Sequence, residues 1–401
     1  MDVFIFDAVR TPRGRGSARG SLAGVPPAEL VVQLVRALEA RHGREAVAAA
    51  EHFALGCVTE VGAQGGHIAL TARIAAGLPE SLPCLTMNNF CVSGLSAVAQ
   101  AARRVAVGEA GLALAGGVES MSQVEFLADK ASYYDDLTLA RRLGWAPVGL
   151  AADLMAAQDG IDRAALDAVT LRSHGRAAVA WADGRFDQSV VPVTGADGAV
   201  ALARDENIRD LSDGAVLAGS RLAFDKLGAA GFDDIILEHR PELTALPHVH
   251  TIAHCPPVSD GAALVMVGSA EAGRAAGLTP VARIRAMAET AGDHVLQLTA
   301  GLAALDLGLR RAGCALGDTG AIEFMEAFAA APVKFERDYR PDPERVNVNG
   351  GHLAMGHPMG ASGAILVGTL LDAMRRLDAG LGVVAATGGV GVGAAMVLER
   401  V

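Results

Sequence analysis

Leu82 to Thr86 is a short apolar stretch that reads as a strand, and the run from Val92 to Val107 is rich in alanine and other good helix formers. The pattern predicts a strand, a tight turn carrying Cys91, and a helix. Near the other end of the chain, Gly360 to Gly363 open a second apolar run of helical character. The two regions share a pattern. Ser93-Gly94, Arg103-Arg104 and Gly116-Gly117 reappear as Ser362-Gly363, Arg375-Arg376 and Gly388-Gly389, with the same step from Arg104 to Gly116 as from Arg376 to Gly388. Each copy predicts a helix with a charged outer end followed by a buried strand, as βαβ units in a covered sheet require. The fold class is therefore α/β.

Between the copies, from about Ser120 to Leu246, the chain is richer in charge and in aromatic residues such as Tyr133, Tyr134, Trp145 and Trp181. That composition suits a separate lobe touching a ligand or a partner subunit. No uninterrupted apolar run reaches membrane-spanning length.

At 401 residues the chain exceeds one typical core, so two or more subdomains are expected. Hydrophobic residues make up 51% but aromatic residues only 4%, so the core must be packed from alanine, valine and leucine. A net charge of −11 argues against a nucleic-acid surface, and an anionic ligand would need local basic residues. The five cysteines, Cys57, Cys84, Cys91, Cys255 and Cys314, are odd in number and lack metal-ligand spacing. They read as reduced thiols, with Cys255 as apolar packing. The N-terminal Met1 to Asp7 lacks a basic leader, so a cytoplasmic location is expected.

Cys91 lies in Asn88-Asn89-Phe90-Cys91-Val92-Ser93-Gly94 at a predicted helix N-terminus. Free N–H groups and the positive end of the macrodipole there favour a thiolate, so Cys91 is a candidate nucleophile. On local features alone, inert packing is the alternative. A second segment, Asn347-Val348-Asn349-Gly350-Gly351-His352-Leu353-Ala354-Met355-Gly356-His357-Pro358, is too rich in Gly and His for an ordinary connector. His357 precedes a proline, which biases it to extended backbone, and from there it can take a proton from a thiol across a site. Gly389-Val390-Gly391-Val392-Gly393 is followed by too little chain for a dinucleotide-binding unit; its glycines permit close backbone approach. Arg10, Arg13 and Arg15 read as solvated charge or a subunit contact.

Taken in order, these motifs resemble the thiolase family, the 3-ketoacyl-CoA thiolases and acetyl-CoA acetyltransferases. The resemblance runs over nearly the full length: Ala8-Val9-Arg10-Thr11-Pro12, the Cys91 turn, Gly116-Gly117-Val118-Glu119-Ser120-Met121-Ser122, Asp183-Gly184-Arg185-Phe186, Gly356-His357-Pro358, and Gly391-Val392-Gly393-Ala394-Ala395-Met396. It implies the thiolase fold: two similar α/β halves, each a mixed sheet flanked by helices, plus an inserted loop domain covering CoA. The expected division is residues 1–119 plus 247–272 for the N-terminal half, 120–246 for the loop domain and 273–401 for the C-terminal half. It also implies that Cys91 is the acylated nucleophile and that His357 activates it. Coenzyme A is then a co-substrate, with no permanently bound cofactor, and a homodimer or homotetramer is expected. Arg209, in Asp205-Glu206-Asn207-Ile208-Arg209, matches a segment near CoA and suits a phosphate, a surface salt bridge being the alternative. Leu222 to Val249 resembles degradative members that accept bulky acyl groups.

The chain departs from the family at several positions. Thr387 stands where thiolases usually carry a second cysteine; a hydroxyl titrates far above a thiol near pKa 8.5, so Thr387 is a candidate catalytic residue by orienting a water instead. Met325-Glu326-Ala327-Phe328 replaces Asn-Glu-Ala-Phe or His-Glu-Ala-Phe, and Met325 can donate nothing. His352 is added after Asn-x-Asn-Gly-Gly and is a candidate acid/base in place of the missing thiol, with space-filling as the alternative. His254-Cys255-Pro256-Pro257 replaces an Asn-Ser-Ser-Gly-like loop and places His254 and Pro256 among the candidate substrate contacts. Gly391, with backbone donors near Cys91, is expected to help hold an oxyanion. The leading reading is an acyltransferase acting on a 3-ketoacyl-CoA or acyl-CoA through acyl-Cys91. The alternatives are an enzyme that hydrolyses or condenses a specialised acyl-CoA, and a non-catalytic acyl-CoA-binding partner subunit.

Overall fold

The computed structural model describes residues 1–212 and 214–401. Its strands are β1 (Phe4–Arg10), β2 (Gly14–Arg15), β3 (His52–Gly56), β4 (Cys84–Met87), β5 (Leu112–Ser120), β6 (Val193–Thr194), β7 (Val200–Leu202), β8 (Ser259–Gly268), β9 (Ala282–Ala291), β10 (Ala321–Phe324), β11 (Leu381–Gly388) and β12 (Val392–Arg400). β6 and β7 form a small hairpin, and the rest build one mixed sheet in the order β10-β11-β12-β9-β1-β8-β5-β3-β4, with β2 added to β8.

The sheet contains the duplication. In one half β3 runs parallel to β4 and β5, while β5–β8 and β8–β1 are antiparallel. In the other half β10 runs parallel to β11, while β11–β12 and β12–β9 are antiparallel. A parallel bridge between Ile322 and Val346 stands where β4 stands in the first half. The halves join edge to edge through only two residue pairs, Phe4 with Arg283 and Ile5 with Ala282. The two expected sheets are thus continuous, because β1 and β9 leave their ladder edges open to each other.

Helices Ser93–Ala106 and Met359–Arg376 follow the equivalent positions in the two copies and pack against each other. The first lies on β3 and β5 and reaches β9 and β12; the second lies on β5 and β8 and also on β10 and β11. Both halves therefore share this buried helical pair, whose Ala, Val and Leu side chains fill the main core. The repeated Ser-Gly pairs now have a physical reason. A Cβ on Gly94 would fall 2.7 Å from the Gly360 carbonyl oxygen, and one on Gly363 would collide with the backbone of Leu95. Only glycine lets the two helix starts approach so closely.

Two local expectations shift by a residue or two. β4 begins at Cys84 because Pro83 has no N–H to give the ladder, and the following helix begins at Ser93. The chain leaves the main sheet at Ser120 and returns at Ser259. The segment between carries helices Leu137–Leu143, Val148–Asp159, Arg163–Ala182 and Asp233–His239.

The solvated charge expected of Arg10 and Arg13 is corrected. Arg15 is exposed, but Arg10 and Arg13 are each only 1% exposed. The Arg10 guanidinium donates twice to Asp205, at 2.8 and 2.9 Å, and the Arg13 N–H donates to the same carboxylate at 2.8 Å. The Arg10 cation is thus paired inside the protein rather than solvated, while the buried Arg13 guanidinium donates to the Gly356 carbonyl at 2.9 Å.

Candidate active site

Cys91 sits on the turn between β4 and helix Ser93–Ala106. The turn is tight: Phe90 has φ of 47°, a left-handed conformation rare for a bulky residue. Neighbouring side chains hold it. Asn88 Oδ1 accepts from the Phe90 N–H at 2.9 Å, and Ser93 Oγ accepts from the Asn89 N–H at 2.8 Å. The loop after β11 approaches from the second half and brings the Gly389 backbone close to the Cys91 sulfur. That contact and the residue's own N–H favour the thiolate. Burial opposes them and prevails, and the Glu119 carboxylate adds to it, so the thiol is pushed up to about 11. The expected resting thiolate is corrected: at neutral pH Cys91 holds its proton.

His357 enters from the equivalent turn in the second copy, one residue before the Pro358 that caps helix Met359–Arg376. Its N–H donates to the Pro257 carbonyl at 2.9 Å, and it forms a parallel bridge with Val258. The ring Nδ1 lies 2.7 Å from Ser362 Oγ, and Nε2 is buried with no hydrogen-bond partner. Burial, with the Arg13 charge adding to it, lowers its pKa to about 3. The ring is therefore neutral at neutral pH, with one nitrogen free to accept a proton.

Glu119, at the end of β5, ties the two copies together. Its carboxylate accepts from the N–H groups of Val58 at 3.0 Å, Thr59 at 3.1 Å and Gly360 at 2.9 Å, and from Gln64 Nε2 at 2.8 Å. It thereby fixes the start of the helix that follows His357.

Cys91, His357 and Gly389 line one cavity of about 280 Å³. Pro256 and Cys255 line it as well. Burial raises the Cys255 thiol, whose sulfur donates to the Thr251 carbonyl at 3.4 Å. Gln297 also lines the cavity, its amide oxygen accepting from the Val390 N–H at 2.8 Å and its amide nitrogen donating to Ala146 O at 2.8 Å.

The remaining sequence candidates lie elsewhere. His352 is completely buried behind His357, edge-on with ring centroids 5.0 Å apart, and both its nitrogens lack partners. Burial lowers its pKa well below the usual value, and it does not reach the cavity wall; its expected acid/base role is corrected to one inside the protein. Thr387 is buried in β11 opposite Gly393, its hydroxyl unpartnered and outside the wall. Its Cβ lies against Gly301, while the next residue, Gly388, comes up to Cys91. Met325 is fully buried and also outside the wall, although Ala327 and Phe328 belong to it. Glu326 anchors that segment, accepting from Ser173 Oγ at 2.7 Å, Asn347 Nδ2 at 3.2 Å and the Leu353 N–H at 3.0 Å. His254 is buried with Nε2 2.7 Å from Asp167, a structural pairing rather than a substrate contact. Gly391, with φ of 77°, packs against the carbonyls of Gly292 and Asp293 instead of the cavity. Arg209 is exposed, and its guanidinium has no hydrogen-bond or ion-pair partner among the described residues.

Ser362, Glu119 and Gln297 escaped the sequence reading as site residues. Ser362 carried a signal, since it belongs to the repeated Ser-Gly pair, and Glu119 lies in Gly116-Gly117-Val118-Glu119-Ser120. Gln297 carried none. Among the described residues no helix is long and apolar enough to cross a membrane.

Comparison with known proteins agrees with this architecture. Residues 3–231 match the family model described as thiolase, N-terminal domain, and residues 278–400 match thiolase, C-terminal domain. Over 407 aligned residues the chain is 35% identical to a 3-ketoacyl-CoA thiolase of Escherichia fergusonii, covering 100% of this chain and 99% of that protein. Identity and coverage are the same for a protein of that name from Cronobacter sakazakii and for another from Shigella sonnei. With a duplicated α/β frame and both family models matched in order, the chain belongs to the thiolase family of acyltransferases.

Proposed function

We propose that this acyltransferase acts on a 3-ketoacyl-CoA through an acyl-Cys91 intermediate, with His357 as the base. One observation carries the reading: the Cys91 thiol and the neutral His357 imidazole, whose Nε2 is unpartnered, line the same cavity as the Gly389 backbone.

In the Nδ1–H tautomer, His357 donates to Ser362 and keeps a lone pair on Nε2. That nitrogen takes the Cys91 proton as the sulfur attacks the 3-keto carbonyl. The C2–C3 bond then breaks and its electron pair forms the acetyl-CoA enolate. His357 returns the proton to the enolate carbon, giving acetyl-CoA and acyl-Cys91. In the second half His357 takes the proton of a CoA thiol, whose sulfur attacks the acyl group. Cys91 leaves as a thiolate and recovers its proton from His357. The scheme needs one base, which suits a chain with Thr387 where the resemblance sets a second cysteine and with His352 outside the cavity wall. Backbone N–H groups around Cys91 and Gly389 are the available oxyanion donors, because Met325 has none.

The same reading treats CoA as a transient co-substrate, makes exposed Arg209 the partner of one of its phosphates, and assigns the 120–246 segment to cover it. It retains a cytoplasmic homodimer or homotetramer as the working form.

The test is intact mass after brief mixing with acetoacetyl-CoA and with a longer 3-ketoacyl-CoA. We expect an acyl adduct on the parent protein and none on Cys91→Ala, with discharge accelerated by added CoA. Discharge indifferent to CoA would assign transfer to water. Absence of an adduct with every substrate overturns the acyl-Cys91 reading.

A further inference from the structure

We infer that the acyl group accepted by this cavity carries a ring, aromatic or alicyclic, rather than a straight saturated chain. The inference rests on the proposed 3-ketoacyl-CoA substrate and names its class.

The cavity wall concentrates what the rest of the chain lacks. Aromatic residues are 4% of the sequence, yet Phe90, Phe126, Tyr134, Trp145, Phe224 and Phe328 all line this one space. Three of them come from the segment between Ser120 and Val148, and Phe224 from later in the same excursion away from the sheet. Four of the six rings therefore come from outside the duplicated frame that supplies Cys91 and His357.

Trp145, Phe224 and Phe328 are held by neighbouring rings. Trp145 is only 8% exposed and is braced edge-on by Tyr133, at 5.1 Å and 65°, and by Phe232, at 5.7 Å and 81°. Phe224 meets Phe328 edge-to-face at 5.7 Å and 78°. It also lies directly on helix Val148–Asp159, where a Cβ on Gly149 would fall 2.2 Å from its ring. Any other residue there would push Phe224 off the wall. Such rings present fixed flat faces and edges, which favour offset or edge-to-face contact with another ring.

Polar recognition is scarce along the same wall. Both ends of the Gln297 amide are engaged with backbone, and Asp129 stands exposed with the Tyr134 hydroxyl donating to it at 3.2 Å. A ring-bearing acyl group fills the space with few rotatable bonds. A straight chain of equal carbon count must freeze several, at an entropic cost the rings do not offset.

Binding to the Cys91→Ala protein tests the inference without any chemistry, so a failure of the acyl-Cys91 mechanism cannot be mistaken for its failure. Calorimetric titration would compare 3-oxo-5-phenylpentanoyl-CoA with 3-oxoundecanoyl-CoA, which match in acyl carbon count. We expect the phenyl ester to bind about tenfold more tightly, from one or two added ring contacts. That preference should fall to near unity when Trp145→Leu or Phe224→Leu is added to Cys91→Ala, with circular dichroism used to select folded variants. Equal or tighter binding of the straight chain overturns the inference, whichever variants fold. A phenyl preference that survives both substitutions overturns the assignment to these rings.

Discussion

His357 and Ser362 are bonded across the first turn of one helix: Nδ1 and Oγ are 2.7 Å apart, and the opposite ring nitrogen is left unpartnered. The serine is half of the Ser-Gly pair that the duplication repeats, and its counterpart, Ser93, holds the Cys91 turn. Equivalent serines thus brace the two turns that carry the candidate nucleophile and base.

Ser362→Ala removes the acceptor that fixes the His357 tautomer. We expect the rate of acyl-enzyme formation to fall roughly tenfold, the loss of about one hydrogen bond. Rapid-quench mass measurements would read the rate, and an unchanged melting temperature would separate this from unfolding. An unchanged rate would show that Ser362 does not set the tautomer.

Gly94→Ala places a methyl 2.7 Å from the Gly360 carbonyl oxygen. Both are backbone-bound, so the helices must separate. The expected cost is about 1–3 kcal/mol, read as a lowered denaturant midpoint, together with lost activity because Cys91 and His357 ride on these two helix starts. Full stability and full activity would show that the helix pair is looser than its contacts imply.

His352→Leu should raise stability more at acid pH than at neutral pH. Burial depresses the folded pKa of His352, so the unfolded chain binds the proton first. The parent therefore loses stability as pH falls below the unfolded value near 6.5. The leucine variant lacks that loss, and its advantage should grow by about 1.5 kcal/mol between pH 6.5 and 5. Thermal melts at the two pH values would check the sign. If acyl transfer from CoA esters survives the substitution, His352 is not the acid/base.

Asp205→Ala leaves the buried Arg10 guanidinium without its carboxylate, and the Arg13 backbone N–H and Trp181 Nε1 without their acceptor. An unpaired buried cation is expensive, so a loss of about 3–5 kcal/mol is expected in urea titrations. Asp378→Ala, which breaks the largely exposed pair with Arg400, should change stability by less than about 1 kcal/mol. Similar effects for the two would contradict the burial argument.

Much of this protein was legible in the chain itself. The duplicated Ser-Gly, Arg-Arg and Gly-Gly positions, the Cys91 turn and the Gly-His-Pro block depend on local rules: helix propensity, the backbone bias of a residue before proline, and the close approach that only glycine allows. They located the two turns and the candidate nucleophile and base. Protonation was not legible, because Cys91 rests as a thiol through burial that no neighbouring residue encodes. Nor was the direction in which a side chain points. His352 lies five residues before His357 yet sits behind it, Thr387 stays outside the wall that Gly389 joins, and Cys255 reaches the wall assigned to its neighbours. Arg10 and Arg13 read as surface charge until Asp205, distant in sequence, was brought against them. Spacing along the chain determined which residues begin each helix; desolvation and long-range packing, which depend on residues remote in sequence, decided which of them face the cavity and in what charge state.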